Sequence, residues 1–291
     1  MNNKKILIAL IGFIIVLIIL LLGCFCFNER KIKLSELFTE DTYPVIDGSS
    51  STENLAKAFK TECLGDENIE INHSKTHKAY INLARGISDM ILIINPADND
   101  KNVANDYNVE FTYNEIAKEG LVFVVNSDNP VDSLTIEQLK DIYTGKITNW
   151  NEVGGKDEEI FAYQEEKNSS SQNAMESLVM KDEVFNTNNI IKSAKELVKK
   201  IEDSNTGTSI IGYTNFHNID TKNTKIKMIA VNEVRPSVET IKSEEYPFVS
   251  YYYAVTREDT KENSALDLID VMLSDQGQKI IEKAGYIPIK W

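Results

Sequence analysis

The stretch GLVFVVNSDNPV, residues 120–131, has the pattern of an apolar strand that ends in a polar turn with an Asn-Pro pair. A second strand of this type, YPFVSYYYAVTRED at residues 246–259, lies far downstream. If both strands cross between two lobes, the C-terminal helices return to the first lobe and leave a cleft, where ligands are usually held. The two stretches therefore predict lobe I at residues 43–125 plus 246–291 and lobe II at residues 126–245.

The rest of the chain has the pattern of an α/β protein. Short apolar runs alternate with amphipathic stretches, without repeats or low-complexity tracts. Its 291 residues exceed the usual single compact domain, which agrees with two lobes. The pattern predicts strands at residues 43–46, 90–95, 121–126, 159–163, 209–213, 226–231 and 251–256, and helices at residues 53–64, 76–86, 135–143, 171–180, 193–202, 264–273 and 274–284.

The charge balance excludes one class of partner. A formal net charge of −14 argues against nucleic acid, because phosphate backbones are held by clustered lysines and arginines. The same acidity does not forbid a small anion. A few donors that point into a cleft outweigh a diffuse surface field, which salt screens.

The N-terminus predicts a membrane anchor at residues 1–27, followed by a polar tether at residues 28–42. Lys4 and Lys5 precede an apolar run that is slightly short of the roughly 20 residues of a bilayer span if it ends at Leu22, and long enough if it continues to Phe27. LLGC, residues 21–24, resembles the lipobox of bacterial lipoproteins, which makes Cys24 a lipidation candidate; the alternative is an uncleaved transmembrane anchor. Both alternatives place the remainder outside the cytoplasmic membrane.

Hydroxyl side chains cluster before three of the predicted helices. They are Ser49 to Thr52 in VIDGSSSTENLAKAF, Ser74 and Thr76 in NHSKTHKAYINLARG, and Ser169 to Ser171 in AYQEEKNSSSQNAM. Each cluster alone is explained as a helix N-cap. Three of them in separate parts of the chain suggest that helix N-termini converge on a small oxyanion, which their aligned N–H groups would favour.

Neither a metal site nor an enzyme is predicted. His73 and His77 have i, i+4 spacing, but Thr76 is the better helix cap, so His73 precedes the helix, and no carboxylate or cysteine partner is placed nearby. The chain has no Gly-x-Ser-x-Gly elbow and no paired Cys and His. Cys63, alone in the exported part, is predicted to be a buried core residue on a helix.

Several motifs together resemble the phosphate-binding proteins of bacterial ABC importers. They are DGSSST, HSKTHKAYINLARGISDMILI, NSDNPVDSLTIEQLKDIYTGKITNWNEVGG, SIIGYTNF and GQKIIEKAGYIPI, and the resemblance runs from about residue 43 to residue 289. It implies a two-lobed type II periplasmic-binding-protein fold, in which each lobe is a mixed sheet flanked by helices and the lobes close on the ligand by hinge motion. It further implies a monomer without cofactor or catalysis, anchored at the cell membrane beside an ABC permease.

The resemblance also implies which residues hold the ligand. In this family phosphate is held by hydroxyl and N–H groups of the first helix start, here Ser51 and Thr52, and by a serine of the second, here Ser74. An acid after the following strand accepts the proton of hydrogen phosphate. An arginine and a Ser-Gly-Ser/Thr turn complete the site, at positions matched here by Glu165 and by Ser169, Ser170 and Ser171.

Three of the matched positions depart from the family pattern. Glu165 replaces the arginine, Ser170 replaces the turn glycine, and Asn95 stands where the acid belongs, with Asp98 close by. A carboxylate in place of a guanidinium repels an anion, although Lys167 could restore a positive charge. Three alternatives stay open: phosphate binding that is weakened or rescued by Lys167, another polar solute with a positive group, or a sensor or interaction module without phosphate binding.

Overall fold

The computed structural model describes residues 33–167, 169–203, 206–220, 222–261 and 263–290, without the side chains of Asp98 and Asn263. The strands are β1 Ile46–Gly48, β2 Met90–Ile94, β3 Phe111–Asn126, β4 Ser133–Leu134, β5 Phe161–Glu165, β6 Asn189–Ile191, β7 Ile210–Asn215, β8 Ile226–Met228, β9 Ala230–Val231, β10 Val249–Arg257 and β11 Ile287–Pro288. The helices are α1 Glu53–Leu64, α2 Thr76–Ala84, α3 Asp98–Lys101, α4 Val103–Tyr107, α5 Ile136–Tyr143, α6 Ser170–Ala174, α7 Ala194–Ile201, α8 Val238–Lys242, α9 Asn263–Leu273 and α10 Asp275–Lys283.

One long strand joins the two halves of the molecule. Among the described residues, nine strands form a mixed sheet in the order β1-β2-β10-β3-β7-β5-β6, with β8 and β11 also paired to β3. Residues 111–120 of β3 pair with β10, and residues 121–126 pair with β7 and β8. Strands β1 and β2 are parallel, as are β5 and β7, so their carboxyl ends are available for ligand contacts.

The hydrophobic cores follow the two halves of β3. One cluster surrounds residues 121–125 and includes Tyr143, Trp150 and Tyr213. Two further clusters cover the opposite faces of the other half of the sheet, one with Leu55 and Phe59 of α1 and the other with Tyr80 and Leu83 of α2. We call the half built on β1, β2 and β10 the first lobe and the half built on β5, β6 and β7 the second lobe. The mixed sheet with helices on its faces confirms the α/β class.

Local sequence explains most element boundaries. Helix α1 buries Leu55, Ala56, Phe59 and Cys63 along one face and ends at Gly65, whose left-handed backbone (φ 74°) suits glycine. Burial, followed by the charge of Glu62, raises the pKa of the Cys63 thiol to about 12, so this cysteine is an inert core residue as predicted.

Several element predictions need correction. The helix predicted at residues 171–180 is a short α6 followed by a π-helical turn, Met175–Met180. Strand β3 begins at Phe111, well before the predicted residue 121, and α3 and α4 were missed. Within the predicted tether, residues 28–42, Leu34 and Phe38 are buried in the first-lobe core.

The membrane anchor predicted at residues 1–27, with its lipidation candidate Cys24, lies outside the described residues. None of the helices in the described ranges combines the length and the apolar character needed to cross a bilayer.

Candidate ligand-binding site

The first helix start is a tight corner after β1. The chain turns at Gly48 and Ser49, forms a 3-10 turn over Ser50–Thr52 and enters α1. The Thr52 hydroxyl lies 2.8 Å from the carbonyl oxygens of both Ser49 and Leu92, and its side chain is 0% exposed. Its hydroxyl proton is therefore used within the protein, so we revise the role of Thr52 from ligand donor to framework of the corner.

Ser51 is better placed to contact a ligand. Its half-buried side chain has Oγ 2.9 Å from Ser49 Oγ, with either hydroxyl able to donate, so Ser51 keeps hydrogen-bonding capacity. Its carbonyl oxygen accepts a hydrogen bond of 2.9 Å from the Tyr286 hydroxyl, which fixes the backbone of the corner.

His73 fills the space that Gly48 leaves open. A Cβ at Gly48 would clash with the Leu92 carbonyl oxygen and would lie 2.9 Å from both His73 Nδ1 and Thr52 Oγ1. His73 Nδ1 lies 2.9 Å from the Ser49 carbonyl oxygen, so Nδ1 carries the proton and Nε2 is left as an acceptor in the neutral ring. This Nε2 is buried and has no hydrogen-bond partner among the described residues.

The second helix start is organised by a carboxylate that the sequence reasoning missed. The Ser74 hydroxyl donates to Asp47 Oδ2 (2.5 Å), its N–H donates to Asp47 Oδ1 (2.7 Å), and Asn82 Nδ2 donates to Asp47 Oδ2 (2.7 Å). Burial alone would raise the pKa of Asp47, but these hydrogen bonds and the one from the Gly48 N–H outweigh it and lower the pKa. The hydroxyl proton of Ser74 is thus already donated to Asp47, which revises the predicted role of Ser74 as a ligand donor. The sequence signal that could have revealed this carboxylate is Asp47, the first residue of the motif DGSSST.

The third helix start belongs to the second lobe. Ser169 caps α6 by accepting a hydrogen bond of 3.1 Å from the Gln172 N–H, which is the plain capping role considered in the sequence. Ser170 Oγ accepts a hydrogen bond of 2.8 Å from Asn215 Nδ2, and Ser171 is buried beside it. Ser170 is the first residue of α6 and is not among the residues with positive φ, so its backbone conformation does not require glycine.

Glu165 is the last residue of β5. Its side chain is 8% exposed, and its Oε1 is buried without a hydrogen-bond partner in the described part of the chain. None of the arginines of that part is shown beside it: Arg85 is exposed at the C-terminal end of α2, Arg235 donates to the Met228 carbonyl, and Arg257 pairs with Asp259. Lys167 is exposed.

Asn95 bridges the two lobes at the start of α6. Its Nδ2 donates to the Ser170 carbonyl oxygen (3.2 Å), and its own carbonyl oxygen accepts from Asn173 Nδ2 (3.0 Å). Its left-handed backbone (φ 45°) is one that asparagine tolerates. These bonds hold the end of β2 against α6, so Asn95 acts as a lobe-to-lobe clasp.

A buried cluster lies at the hinge, which is the part of β3 near residue 120 where the strand passes from the first lobe to the second, and it connects to the corner before α1. Glu119 Oε2 accepts hydrogen bonds from His217 Nδ1 and from the Tyr252 hydroxyl (2.6 Å). The His217 ring stacks on Tyr286, whose hydroxyl donates to Ser51. Contacts therefore run from the hinge to the first helix start.

The predicted residues thus fall into two groups joined by these contacts. Ser51, Thr52 and Ser74 surround the end of β1, and Glu165 with the three serines of residues 169–171 lies at the ends of β5 and β7. Asn95 joins the two groups across the cleft. Asn215, His73 and the Glu119–His217 pair were missed, because their roles depend on partners far away in sequence.

The two histidines considered for a metal have separate roles. His77 Nδ1 lies 3.0 Å from Asp100 Oδ1, whereas His73 is bound at the corner of α1. Within the described ranges, no group of three or more His, Cys, Asp or Glu side chains is suited to a metal ion.

A cavity of about 850 Å³ borders the clasp, and Asn95 and Asn173 form part of its lining. The first lobe lines it with the rings of Tyr113, Tyr251 and Tyr253, and the second lobe with Glu176 and Ser177 of the π-helical turn. Ser51, Thr52, Ser74, Glu165 and residues 169–171 do not line this cavity.

Comparison with known proteins points to one group. Residues 39–276 match the family described as PBP superfamily domain. The phosphate-binding protein PstS of Staphylococcus saprophyticus is 29% identical over 84% of this chain and 79% of its own length. The PstS proteins of Borreliella burgdorferi and Bacillus subtilis are 28% and 29% identical, and the match spans 64% and 57% of their lengths, less than two thirds of each.

Solved structures agree with this grouping. A structure assigned to a phosphate ABC transporter substrate-binding protein from Clostridium perfringens, with bound phosphate, has a TM-score of 0.67 and 26% identity. The similarity covers 84% of this chain and 98% of that chain. An ABC-type phosphate transport receptor from Vibrio cholerae has the same TM-score of 0.67 at 24% identity and supports the fold alone.

Proposed function

Since the chain belongs to the PBP superfamily domain family, we propose that it is an extracytoplasmic solute-binding protein of an ABC importer and that its solute is inorganic phosphate. The single observation that carries this proposal is the Asn95 clasp. It joins the carboxyl end of β2 to the third helix start while the corner of Ser51 lies on the same side of the first lobe. A solute held there would contact both lobes, as a clamshell binding protein requires.

The comparisons support phosphate as the solute. The relatives are named phosphate-binding proteins, and the Clostridium perfringens structure contains phosphate. Ser51 and Ser171 stand at positions that match the family's donors, and a hydroxyl shell suits a tetrahedral oxyanion.

We further propose the cellular setting. The protein works as a monomer at the cell membrane, anchored through residues 1–27, either by a lipid on Cys24 or by an uncleaved span, and passes its solute to an ABC permease. Intact mass of the membrane-extracted chain distinguishes the two anchors, because acylation requires cleavage before Cys24 and adds the mass of the lipid.

Calorimetry with the full-length chain in detergent tests the function. We expect micromolar or tighter binding of phosphate and no binding of sulfate. Ser51→Ala should weaken phosphate binding about tenfold, since a hydrogen bond to a charged group contributes about 1.5 kcal/mol. Ser127→Ala, an exposed turn residue, is the matched control and should leave binding unchanged. Absence of any heat with phosphate would refute the assignment.

Glu165 favours a second candidate, a polar solute that carries an ammonium or guanidinium group. A buried carboxylate with an unpaired oxygen is the usual partner of such a cation. Mass spectrometry of the small molecules that copurify with the chain separates this candidate from phosphate. A chain that copurifies with neither, and binds neither, would be the sensor or interaction module.

A further inference from the structure

The cavity that borders the clasp has one wall of tyrosine rings. Its volume of about 850 Å³ is enough for a small organic molecule. The first lobe lines it with Tyr113, Tyr251 and Tyr253, and the second lobe lines it with Glu176 and Asp182. A molecule bound in this cavity would therefore contact both lobes without occupying the corner before α1.

The three tyrosines form an angled aromatic wall. The rings of Tyr113 and Tyr253 are edge-to-face, with centroids 5.8 Å apart and an interplanar angle of 89°. The Tyr251 ring is tilted by 53° from the Tyr253 ring, at a centroid distance of 6.4 Å. All three side chains are partly exposed, and Tyr113 is 36% exposed. The wall therefore leaves ring surface open to the cavity.

The hydroxyl groups of two of these rings are already engaged within the protein. The Tyr251 hydroxyl donates to Glu244 Oε1 (2.8 Å), and the Tyr113 hydroxyl accepts a hydrogen bond of 3.2 Å from the Tyr80 hydroxyl. Burial raises the pKa of both phenols, followed for Tyr251 by the hydrogen bond to Glu244, so both stay neutral at physiological pH. Ring surface is thus the main feature that this wall offers to a ligand.

Carboxylates lie around the cavity on both lobes. Glu115 of β3 is close enough to Tyr251 and Tyr253 for its charge to raise the pKa of both phenols, although burial is the largest cause. The carboxylates of Glu176 and Asp182 line the cavity from the second lobe. Because the face of an aromatic ring also carries partial negative charge, rings and carboxylates together favour a positively charged ligand.

Two lysines also line the cavity and act against this preference. The side chains of Lys101 and Lys181 are exposed, so salt screens their charges, and each ammonium group lies at the end of a flexible stem. A third lysine shows that this wall accepts a cation, because Lys118 Nζ lies 5.9 Å from the centroid of the Tyr251 ring. The charge of Lys118 is paired with Glu244, which leaves the other carboxylates to act on a ligand.

We propose that this cavity is a second ligand site, separate from the phosphate site, and that it binds an organic cation of the alkylammonium class against the tyrosine wall. The ring faces attract the positive charge, and the carboxylates of Glu176 and Asp182 add to this attraction from the second lobe. The same groups disfavour an inorganic anion in the cavity. The inference does not depend on which solute the first site holds.

The test is calorimetry of the full-length chain in nonionic detergent with choline as the probe. The matched control ligand is dimethylbutanol, the neutral isostere of choline with carbon in place of the ammonium nitrogen. We expect choline to bind about tenfold more tightly than the alcohol, because the two differ only in charge. Equal affinities, or no binding of choline, overturn the inference. Phosphate is titrated into the same preparation, so failure of the proposed function is measured separately.

Substitution in the tyrosine wall gives an independent arm. Tyr253→Leu removes the ring but keeps apolar volume, and it should weaken choline binding about fivefold while phosphate affinity is unchanged. Tyr253→Phe keeps the ring face and should keep choline affinity. Tyr107→Leu, at a tyrosine that is 43% exposed and does not line the cavity, is the matched control and should change neither affinity.

The variants can also overturn the inference. Unchanged choline affinity in Tyr253→Leu would show that the ring does not hold the cation. Equal losses in Tyr253→Phe and Tyr253→Leu would show that the hydroxyl acts instead of the ring face. Joint loss of choline and phosphate binding in Tyr253→Leu would contradict a separate site. Glu176→Gln should weaken choline binding as well, since it removes one carboxylate from the cavity lining.

Discussion

Glu119 accepts a hydrogen bond from His217 Nδ1 inside the hinge, where β3 passes from the first lobe to the second. The carboxylate is 2% exposed and also accepts from the Tyr252 hydroxyl and from the Gly120 N–H. A buried charge of this kind is stable only with such partners. The hinge therefore contains an ion pair whose strength depends on the protonation of one histidine.

This pair predicts a pH dependence of stability. Burial alone would lower the pKa of His217, but the hydrogen bond to Glu119 and the charge of Glu119 outweigh it and raise the pKa. A raised folded-state pKa stabilises the fold below the unfolded value of about 6.5, and this stabilisation is lost as pH rises through the folded value. We expect the free energy of unfolding to fall over that window in denaturant titrations. His217→Gln should abolish this component, and its persistence would refute the assignment.

Gly48→Ala tests the close packing of the first corner. The added Cβ would clash with the Leu92 carbonyl and crowd His73 and Thr52, at a cost of about 2–3 kcal/mol in unfolding free energy. Phosphate binding should weaken as well, because the Ser51 backbone moves with the corner. Gly154→Ala, at a left-handed residue with no atom near the added Cβ, should cost about 1 kcal/mol and leave binding intact. Equal effects of the two variants on binding would contradict this role.

Asn95→Gly tests the clasp between the lobes. Glycine keeps the left-handed backbone and removes the hydrogen bond to Ser170, so phosphate affinity should fall about fivefold, the equivalent of about 1 kcal/mol. Small-angle scattering of the ligand-free chain should show a larger radius of gyration. Asn108→Gly, an exposed residue with φ 53°, is the matched control. A clasp variant with unchanged affinity and size would show that the contact does not hold the lobes together.

Asp47→Asn tests the carboxylate that organises the second helix start. An amide cannot accept from Ser74, Asn82 and Gly48 together, so the variant should lose about 2–3 kcal/mol. Because the folded-state pKa is lowered, this stabilisation is present above the unfolded value of about 3.9 and is lost as pH falls through the folded value. Acid denaturation should therefore be shallower in the variant. Asp66→Asn, at an exposed loop residue, should change little.

Local patterns in the sequence predicted the elements whose signals are local. Helix α1 has the predicted bounds because one apolar face, a hydroxyl-rich start and a terminal glycine coincide in a single window. The beginning of β3 was missed because Glu115, Lys118 and Glu119 interrupt its apolar pattern. Their partners are distant in sequence, as in the bond from Lys118 to Glu244.

The local surroundings of the predicted site residues could be only partly predicted from the sequence. The resemblance led to Ser51, Ser74 and Glu165, and the structure places them at strand ends and helix starts. Tertiary partners decide which hydroxyl remains available to a ligand. Asp47 engages the Ser74 hydroxyl and the Leu92 carbonyl engages that of Thr52, and sequence spacing does not predict either contact. Asn215 could not be predicted from the sequence for the same reason, since its hydrogen bond to Ser170 joins residues 45 positions apart.

The central claim is that one ligand is held between the lobes at these strand ends. A crystal of the full-length chain grown with arsenate, the heavier analogue of phosphate, would locate the ligand directly by the anomalous signal of arsenic. We predict one arsenic peak, whose arsenate oxygens lie within hydrogen-bonding distance of Ser51 in the first lobe and of the third helix start, residues 169–171, in the second. A peak in the cavity lined by Tyr113, Tyr251 and Tyr253, or no peak between the lobes, would contradict the account.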